Sequence, residues 1–313
     1  MNFPLLDNNI KNLLTKEELA KKLSSRSSNS GTFIIRAFLT LWENRKARVG
    51  IAILGIFILT AILAPVLSPY SPTSTNFSRS AAPSWAHPLG TTGQGQDALS
   101  QLIWGTRVSV FVGFAAGALA TIVAVTIGLV AGFVGGVIDT ILSFVVNLAL
   151  VVPSLPLMIV IATYIPGRGI GVIIFVIFVT GWAWGARVLR SQTTSLRQRD
   201  FVVAAQFSGE RLPRIVLREI LPNMTSLIAA NFFGAATAAV LAEAGLEFLG
   251  LGNPSIVSWG TMLYWAQNNS ALLTGEWALV FAPGLCIALL AASLSLINFG
   301  VDALANPRLR EHK

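Results

Sequence analysis

Long uncharged apolar runs constrain this chain more than any other feature. A hydrocarbon core of roughly 30 Å is crossed by about 20 largely apolar helical residues, and runs of that kind recur along the sequence. They cover approximately residues 49–66, 108–134, 141–165, 170–186, 225–242 and 277–299. Membrane barrels instead show alternating segments of about ten residues, and these runs are continuous. With 54% hydrophobic and 12% charged residues, the charges confined to the termini and a few short stretches, the expected fold is an all-α integral membrane protein with six transmembrane helices.

Basic residues set the expected orientation, since cytoplasmic flanks retain Lys and Arg. Of the 22 Lys and Arg, only Arg79, Arg107 and Arg168 fall in the segments assigned outside. The rest precede the first run, follow the last, or lie between the fourth and fifth, as do Arg187, Arg190, Arg197, Arg199, Arg211, Arg214 and Arg218. Both termini are therefore expected to be cytoplasmic. The net charge of +8 follows from this topology, and no aromatic-interleaved basic patch points to nucleic acid. No short cleavable apolar segment follows Met1, so no signal peptide is expected. Thr15 and Glu18 have capping-box spacing for a short cytoplasmic helix. Cys286 lies inside the last run as a small apolar filler.

The six runs hold no Asp, Glu, Lys, Arg or His. An ion-coupled carrier needs something deep in the membrane to bind a proton or Na⁺. Glu243 and Glu247, just past the fifth run and four apart on one helix face, suit a water-exposed outer mouth instead. No G-x-x-x-x-G-K-[ST] phosphate loop occurs, nor H-E-x-x-H or CxxC, and His87 and His312 stand far apart without partners. The chain is expected to be non-catalytic, with neither cofactor nor metal of its own, and to draw its energy from another subunit on the cytoplasmic side.

The stretch "VVAAQFSGERLPRIVLREILPN" at 202–223 is one candidate for that docking surface. Asp200 can serve as N-cap for a short helix with Ala204 and Ala205 on one side, leaving Phe201 and Phe207 to insert into a partner. Gly209 can supply a left-handed bend, and Pro213 suits the first turn of a second helix. An interfacial amphipathic helix on lipid headgroups explains the arginines equally well. Elsewhere, Gly113 and Gly117, and Gly128, Gly132 and Gly136, recur at intervals of four, as close helix packing requires. Pro153 and Pro156 should kink the third span. Asn147, expected buried, needs a partner on a neighbouring helix or faces a path. Segments 68–105 and 249–276 are expected to form an external cap, with Trp85, Trp259 and Trp265 as interface anchors or as contacts for a substrate-delivery protein.

Val203, Ala204, Ala205, Gly209, Leu221 and Pro222 resemble the E-A-A, three residues, Gly, about nine residues, I-x-L-P pattern of permease subunits of bacterial and archaeal ABC importers. Val203 stands where Glu is usual and Glu219 where His is frequent. "HPLGTTGQGQDALSQLIWGTRVS", "GLVAGFVGGVIDTILSFVVNLALVVPSLPL", "EAGLEFLGLG", "PSIVSWGTML" and "NPRLR" narrow the likeness to the dipeptide and oligopeptide branch. Thr92, Gln96, Gln101, Phe144, Asn147 and Glu247 depart from the usual residues of these motifs.

The resemblance implies a type I importer fold with a cytoplasmic coupling helix in a multi-pass bacterial or archaeal plasma (inner) membrane protein. Residues 1–47 would form a cytoplasmic segment, 48–66 the first span and 67–106 an external segment. Residues 107–305 would be the permease domain with its coupling loop at 190–222, and 306–313 a cytoplasmic tail. Val203, Ala204, Ala205, Phe207, Gly209, Arg214 and Pro222 would meet an ATPase subunit; Glu243, Glu247, Asn147 and Pro153 would serve the gate or pathway. Implied partners are a homologous second permease, two ATPases holding ATP and Mg²⁺, an external solute-binding protein and the lipid bilayer. Di- and oligopeptides are the implied cargo, with oligosaccharides, nickel or opines as alternatives. An ion-coupled carrier or a membrane scaffold would be readings of a different class.

Overall fold

The computed structural model describes residues 44–305, with side chains described to residue 301. Thr15, Glu18, His312 and the terminal "NPRLR" lie outside the described residues. Among the described residues every regular element is helical, and the only extended pairing is an isolated bridge between Thr91 and Asp97.

Helix α1, Arg45–Leu67, matches the first run. Helix α2, Ala98–Val134, begins ten residues before the apolar run does, because Asp97 caps it: the Ser100 amide donates to Asp97 Oδ2 at 2.8 Å. Its 37 residues span about 55 Å at 1.5 Å each, so it projects beyond a bilayer core. Gly135, at φ +73°, ends it in a conformation that L side chains rarely adopt.

The third run is not one crossing helix. Helices α3, Gly136–Val151, and α4, Ser154–Tyr164, meet at 90°. Val152 is forced extended before proline, and Pro153 takes the N-cap of α4. Pro156, in the first turn of α4, removes an amide that has no intrahelical partner anyway. Of the two prolines expected to kink one helix, Pro153 breaks it and Pro156 does not.

Helices α5, Ile170–Gly181, and α6, Ala183–Arg197, bend by 43° at Trp182. Helix α6 carries Arg187, Arg190 and Arg197, which the apolar runs alone leave in a connecting segment. Next come α7, Asp200–Phe207, and α8, Leu212–Ile215. A π turn, Val216–Ile220, and a 3-10 turn, Leu221–Met224, lead into α9, Thr225–Phe248. Helix α10, Trp259–Asn268, is short and α11 covers Ala278–Ala305. Among the described residues four helices are long and apolar enough to cross a membrane, or six if each bent pair makes one crossing.

Helix α2 is the axis, packing along α1, α5, α6 and α9. Its glycines make this possible. A Cβ at Gly117 would sit 2.7 Å from Ala236 Cα on α9, and at Gly128 or Gly132 it would sit 2.7 Å from atoms of α6. Close approach matters here because apolar side chains gain nothing by leaving lipid for one another. Gly136 does not belong to this stripe; it faces open space at φ +58°. Apolar side chains such as Ile56 and Ile62 on α1 and Phe144 on α3 point outward, a surface suited to lipid or to another helical subunit.

Candidate functional site

Three regions lie along the α8–α9 axis, which runs 37 residues from Leu212 to Phe248, about 55 Å. At its first end is the α7–α8 knob. Arg199, not Asp200, takes the N-cap of α7, with no side-chain cap; Asp200 is the first helical residue, where its charge complements the helix dipole. Val202, Ile215, Ile220 and Met224 are fully buried and fasten the knob to Leu189 of α6 and Leu129 of α2. Gly209, at φ +74° with no atom within 4 Å of where a Cβ would stand, makes the bend. Phe207 is 87% exposed, and Ala204, Arg214 and Pro222 are also exposed. Val203 is half-buried, and Ala205 packs against the core, so the two alanines do not share one outward face.

The opposite end of α9 carries the two carboxylates. The water-exposed mouth expected there is absent: Glu243 is 0% and Glu247 3% exposed. Hydroxyls meet both. Ser109 Oγ donates to Glu243 Oε1 at 3.2 Å, and Ser258 Oγ donates to Glu247 Oε2. Ser258 also caps α10 in a reciprocal box with Thr261, and the Trp259 amide donates to Ser109 Oγ at 3.4 Å. Glu247 fits because Gly252 and Gly260 line its slot; a Cβ on either would lie 2.8 or 2.7 Å from Glu247 carbons. The carboxylates thus tie α2, α9 and α10 together. Trp259, expected as an interface anchor, is fully buried and donates to the Leu102 carbonyl at 3.1 Å, whereas Trp85 is wholly exposed.

Next to this node segments 68–105 and 249–276 meet, and Asn269 Nδ2 donates to Gln94 Oε1 at 3.4 Å. His87 is not partnerless: its Nδ1 lies 2.8 Å from Asp97 Oδ1. Gln101 donates to Gln96 Oε1 at 2.6 Å and to the Pro72 carbonyl at 3.2 Å. A pocket of about 270 Å³ opens between the two segments, with Gln94, Gln96, Gln101, Thr261 and Trp265 on its wall. Among the described residues no group of three or more His, Cys, Asp or Glu could hold a metal ion.

Between the two ends lies a cavity of about 550 Å³ at the α5–α6 bend. Trp184, Gly185 and Val188 face it from α6, Asn231, Gly234 and Ala238 from α9, and Asn298 from α11. Among the described residues no charged group lines it. Asn231 Nδ2 donates to Thr121 Oγ1 at 3.3 Å, and Gly185 leaves room for the Asn231 carbonyl, which a Cβ there would approach to 2.3 Å. Asn298 Oδ1 is buried without a hydrogen-bond partner.

Of the sequence-derived gate and pathway residues the structure brings Glu243 and Glu247 together and places Asn147 and Pro153 elsewhere. Asn147 is exposed rather than buried, and accepts from Arg187 at 2.8 Å. Two turns earlier on α3, Asp139 receives a bidentate fork from Arg190. These pairs clamp α3 onto α6. Pro153 shapes the α3–α4 corner. Sequence reasoning passed over Asn231 and Asn298, although an amide inside an otherwise apolar run carried the same signal that singled out Asn147.

Residues 124–311 match the family described as binding-protein-dependent transport system inner membrane component. Residues 32–83 match the N-terminal transmembrane domain of oligopeptide transport permease C. The chain is 33% identical to the oligopeptide transport system permease protein OppC of Bacillus subtilis over 88% of its own length and 90% of the relative's. It is 30% identical to the dipeptide transport system permease protein DppC of the same species, over 94% and 92% of the two chains. A putative peptide permease protein of Brucella suis is 32% identical over 85% and 88%. The chain belongs to the family of binding-protein-dependent transport system inner membrane components, in its dipeptide and oligopeptide permease branch.

Proposed function

We propose that this multi-pass family member forms one half of the membrane domain of an ATP-driven importer of di- and oligopeptides. In this reading each bent helix pair is one crossing, the chain crosses six times, and both termini lie in the cytoplasm, as the placement of Lys and Arg implies. A homologous permease completes the pathway, two ATPase subunits bind and hydrolyse ATP with Mg²⁺, and an external solute-binding protein delivers cargo. The chain itself performs no chemistry.

The observation that carries the reading is Phe207, 87% exposed at the tip of a knob whose base is fully buried. A large aromatic held outward on a rigid support is the geometry of an anchor that fills a partner's cleft. Val203, Ala204, Ala205, Gly209, Arg214 and Pro222 give that anchor its shape. Because the knob leads through the π and 3-10 turns into α9, a push at Phe207 would reach Glu243 and Glu247 along that helix. ATP-driven closure of the ATPases would then move the outer α9–α10 junction and switch access to the cavity. ATP, not a proton or Na⁺ gradient, supplies the energy.

Co-purification tests this directly. A tagged chain should bring down ATPase subunits whose hydrolysis rises when peptide-loaded binding protein is added. Phe207→Asp should abolish that recovery while the permease pair remains folded and paired. Recovery of the permease with no ATPase subunit would reject the reading, and stimulation by a loaded oligosaccharide binder alone would reassign the cargo.

A further inference from the structure

Resting on the importer reading, we propose that the cavity at the α5–α6 bend is the stretch of the path where cargo passes this subunit, and that Asn231 and Asn298 read the peptide main chain there. Its volume of about 550 Å³ is in the range of sites that hold a small organic ligand.

Three properties of the wall support this role. Its backbone is exposed by small residues, Gly181, Gly185, Gly234, Ala235 and Ala238, so a passing chain can approach closely. Trp184, 65% exposed at the rim, offers a flat apolar face. Among the described residues the only side-chain amides on the wall are those of Asn231 and Asn298. A carboxamide presents one acceptor and two donors, complementary to the C=O and N–H of a peptide unit. Asn231 has committed a donor to Thr121 and keeps its carbonyl beside Gly185. Asn298 lines the wall while its side-chain oxygen is buried without a partner, a costly arrangement in apolar surroundings, so a small rotation of this amide toward a polar occupant is favoured. A Cβ added at Gly234 would lie 3.8 Å from Asn298 Nδ2, which places the second amide beside the α9 glycine.

The absence of charge on the wall has a functional meaning. A carboxylate or ammonium there would hold peptides of opposite side-chain charge and repel those of like charge. An uncharged amide wall passes both. Side-chain selection therefore belongs to a component other than this cavity, and the cavity demands only a main chain.

The test uses the whole transporter with its binding protein, reconstituted in proteoliposomes. Ala-Lys-Ala and Ala-Asp-Ala are supplied separately, and uptake is divided by ATP hydrolysed. Asn298→Asp should shift the ratio of lysine to aspartate peptide at least fivefold toward lysine relative to wild type, because the binding protein is the same in both. A second arm needs no cargo. In a Cys286→Ser background, which removes the sole cysteine, Ala238→Cys should react with a water-soluble methanethiosulfonate at least tenfold faster than Ile56→Cys on the outward apolar face of α1. An unchanged peptide ratio with uptake intact, or an Ala238→Cys as unreactive as Ile56→Cys, overturns the proposal. A wild-type transporter that accumulates neither peptide refutes the import reading itself.

Discussion

Replacing Gly113 by alanine puts one methyl group where the α2–α9 contact has no space. Its Cβ would lie 2.4 Å from Val240 Cγ2, with the next atoms at 3.7 Å. Ordinary carbon contacts are about 3.5–4.0 Å, so a shift of more than about 1 Å is required. Val240 is fully buried, and a β-branched side chain in a helix has essentially one χ1 well, so it cannot swing away. Overpacking of this kind costs about 1–3 kcal/mol. The exchange also gains about 1 kcal/mol of helix propensity. Gly55→Ala, with nothing within 4 Å of its Cβ, supplies the control that cancels this gain. Equilibrium unfolding in bicelles should therefore place Gly113→Ala about 1–3 kcal/mol below Gly55→Ala. Val240→Ala removes the single clashing atom, so the double variant should be no less stable than Val240→Ala alone, a coupling of about 1–3 kcal/mol. Gly117→Ala meets the backbone of Ala236 at 2.7 and 2.8 Å, and Val240→Ala should not rescue it. Equal stabilities for the alanine variants at 55, 113 and 117 would refute glycine-limited packing of α2.

Asp139→Asn should weaken the α3–α6 clamp by about 1–2 kcal/mol, intermediate between exposed and buried pairs, because both partners are partly solvent-accessible; the exchanged pair Asp139→Arg with Arg190→Asp should recover part of the loss in a thermal aggregation assay. Glu247→Ser should leave a void between Gly252 and Gly260 and free Ser258 from one of its bonds, lowering stability by about 2 kcal/mol. Faster proteolysis between α9 and α10 would report the loosening. Gly209→Val forces a β-branched residue into the left-handed region at a cost of about 1–2 kcal/mol or more, with no steric clash; it should reduce ATPase co-purification without changing the melting of the helix bundle, and a normal yield of ATPase would contradict the need for that bend.

Continuous apolarity was enough to locate the helical material apolar enough to cross a membrane, because a bilayer core sets a minimum apolar length for a crossing. The α2 glycines were legible for a related reason: spacing of four fixes a helix face whatever packs there. Gly209 and Pro213 were legible as well, since each backbone device is intrinsic to its own residue. The breaks were less so. Pro153 announces an interruption, but whether it bends a span slightly or turns it through 90° depends on what α4 packs against, namely α5. The bend at Trp182 has no proline to announce it.

Side-chain environments escaped the sequence altogether. Four-residue spacing put Glu243 and Glu247 on one face of α9 and could say no more, because their surroundings come from Ser109, 134 residues away, and from Ser258. The same spacing is compatible with a wet mouth or a sealed node; only the docking of α10 excludes water. Asn147 and Asn298 are equivalent in sequence, single amides in apolar runs, yet one pairs with an arginine on an outer face and the other lines a cavity with its oxygen unsatisfied. Local pattern determines which segments are apolar enough to cross a membrane and where the chain can turn, since those depend on each residue's own conformational and transfer energies. Burial, pairing and the cavity depend on residues far apart in sequence, and only the packed helices bring those together.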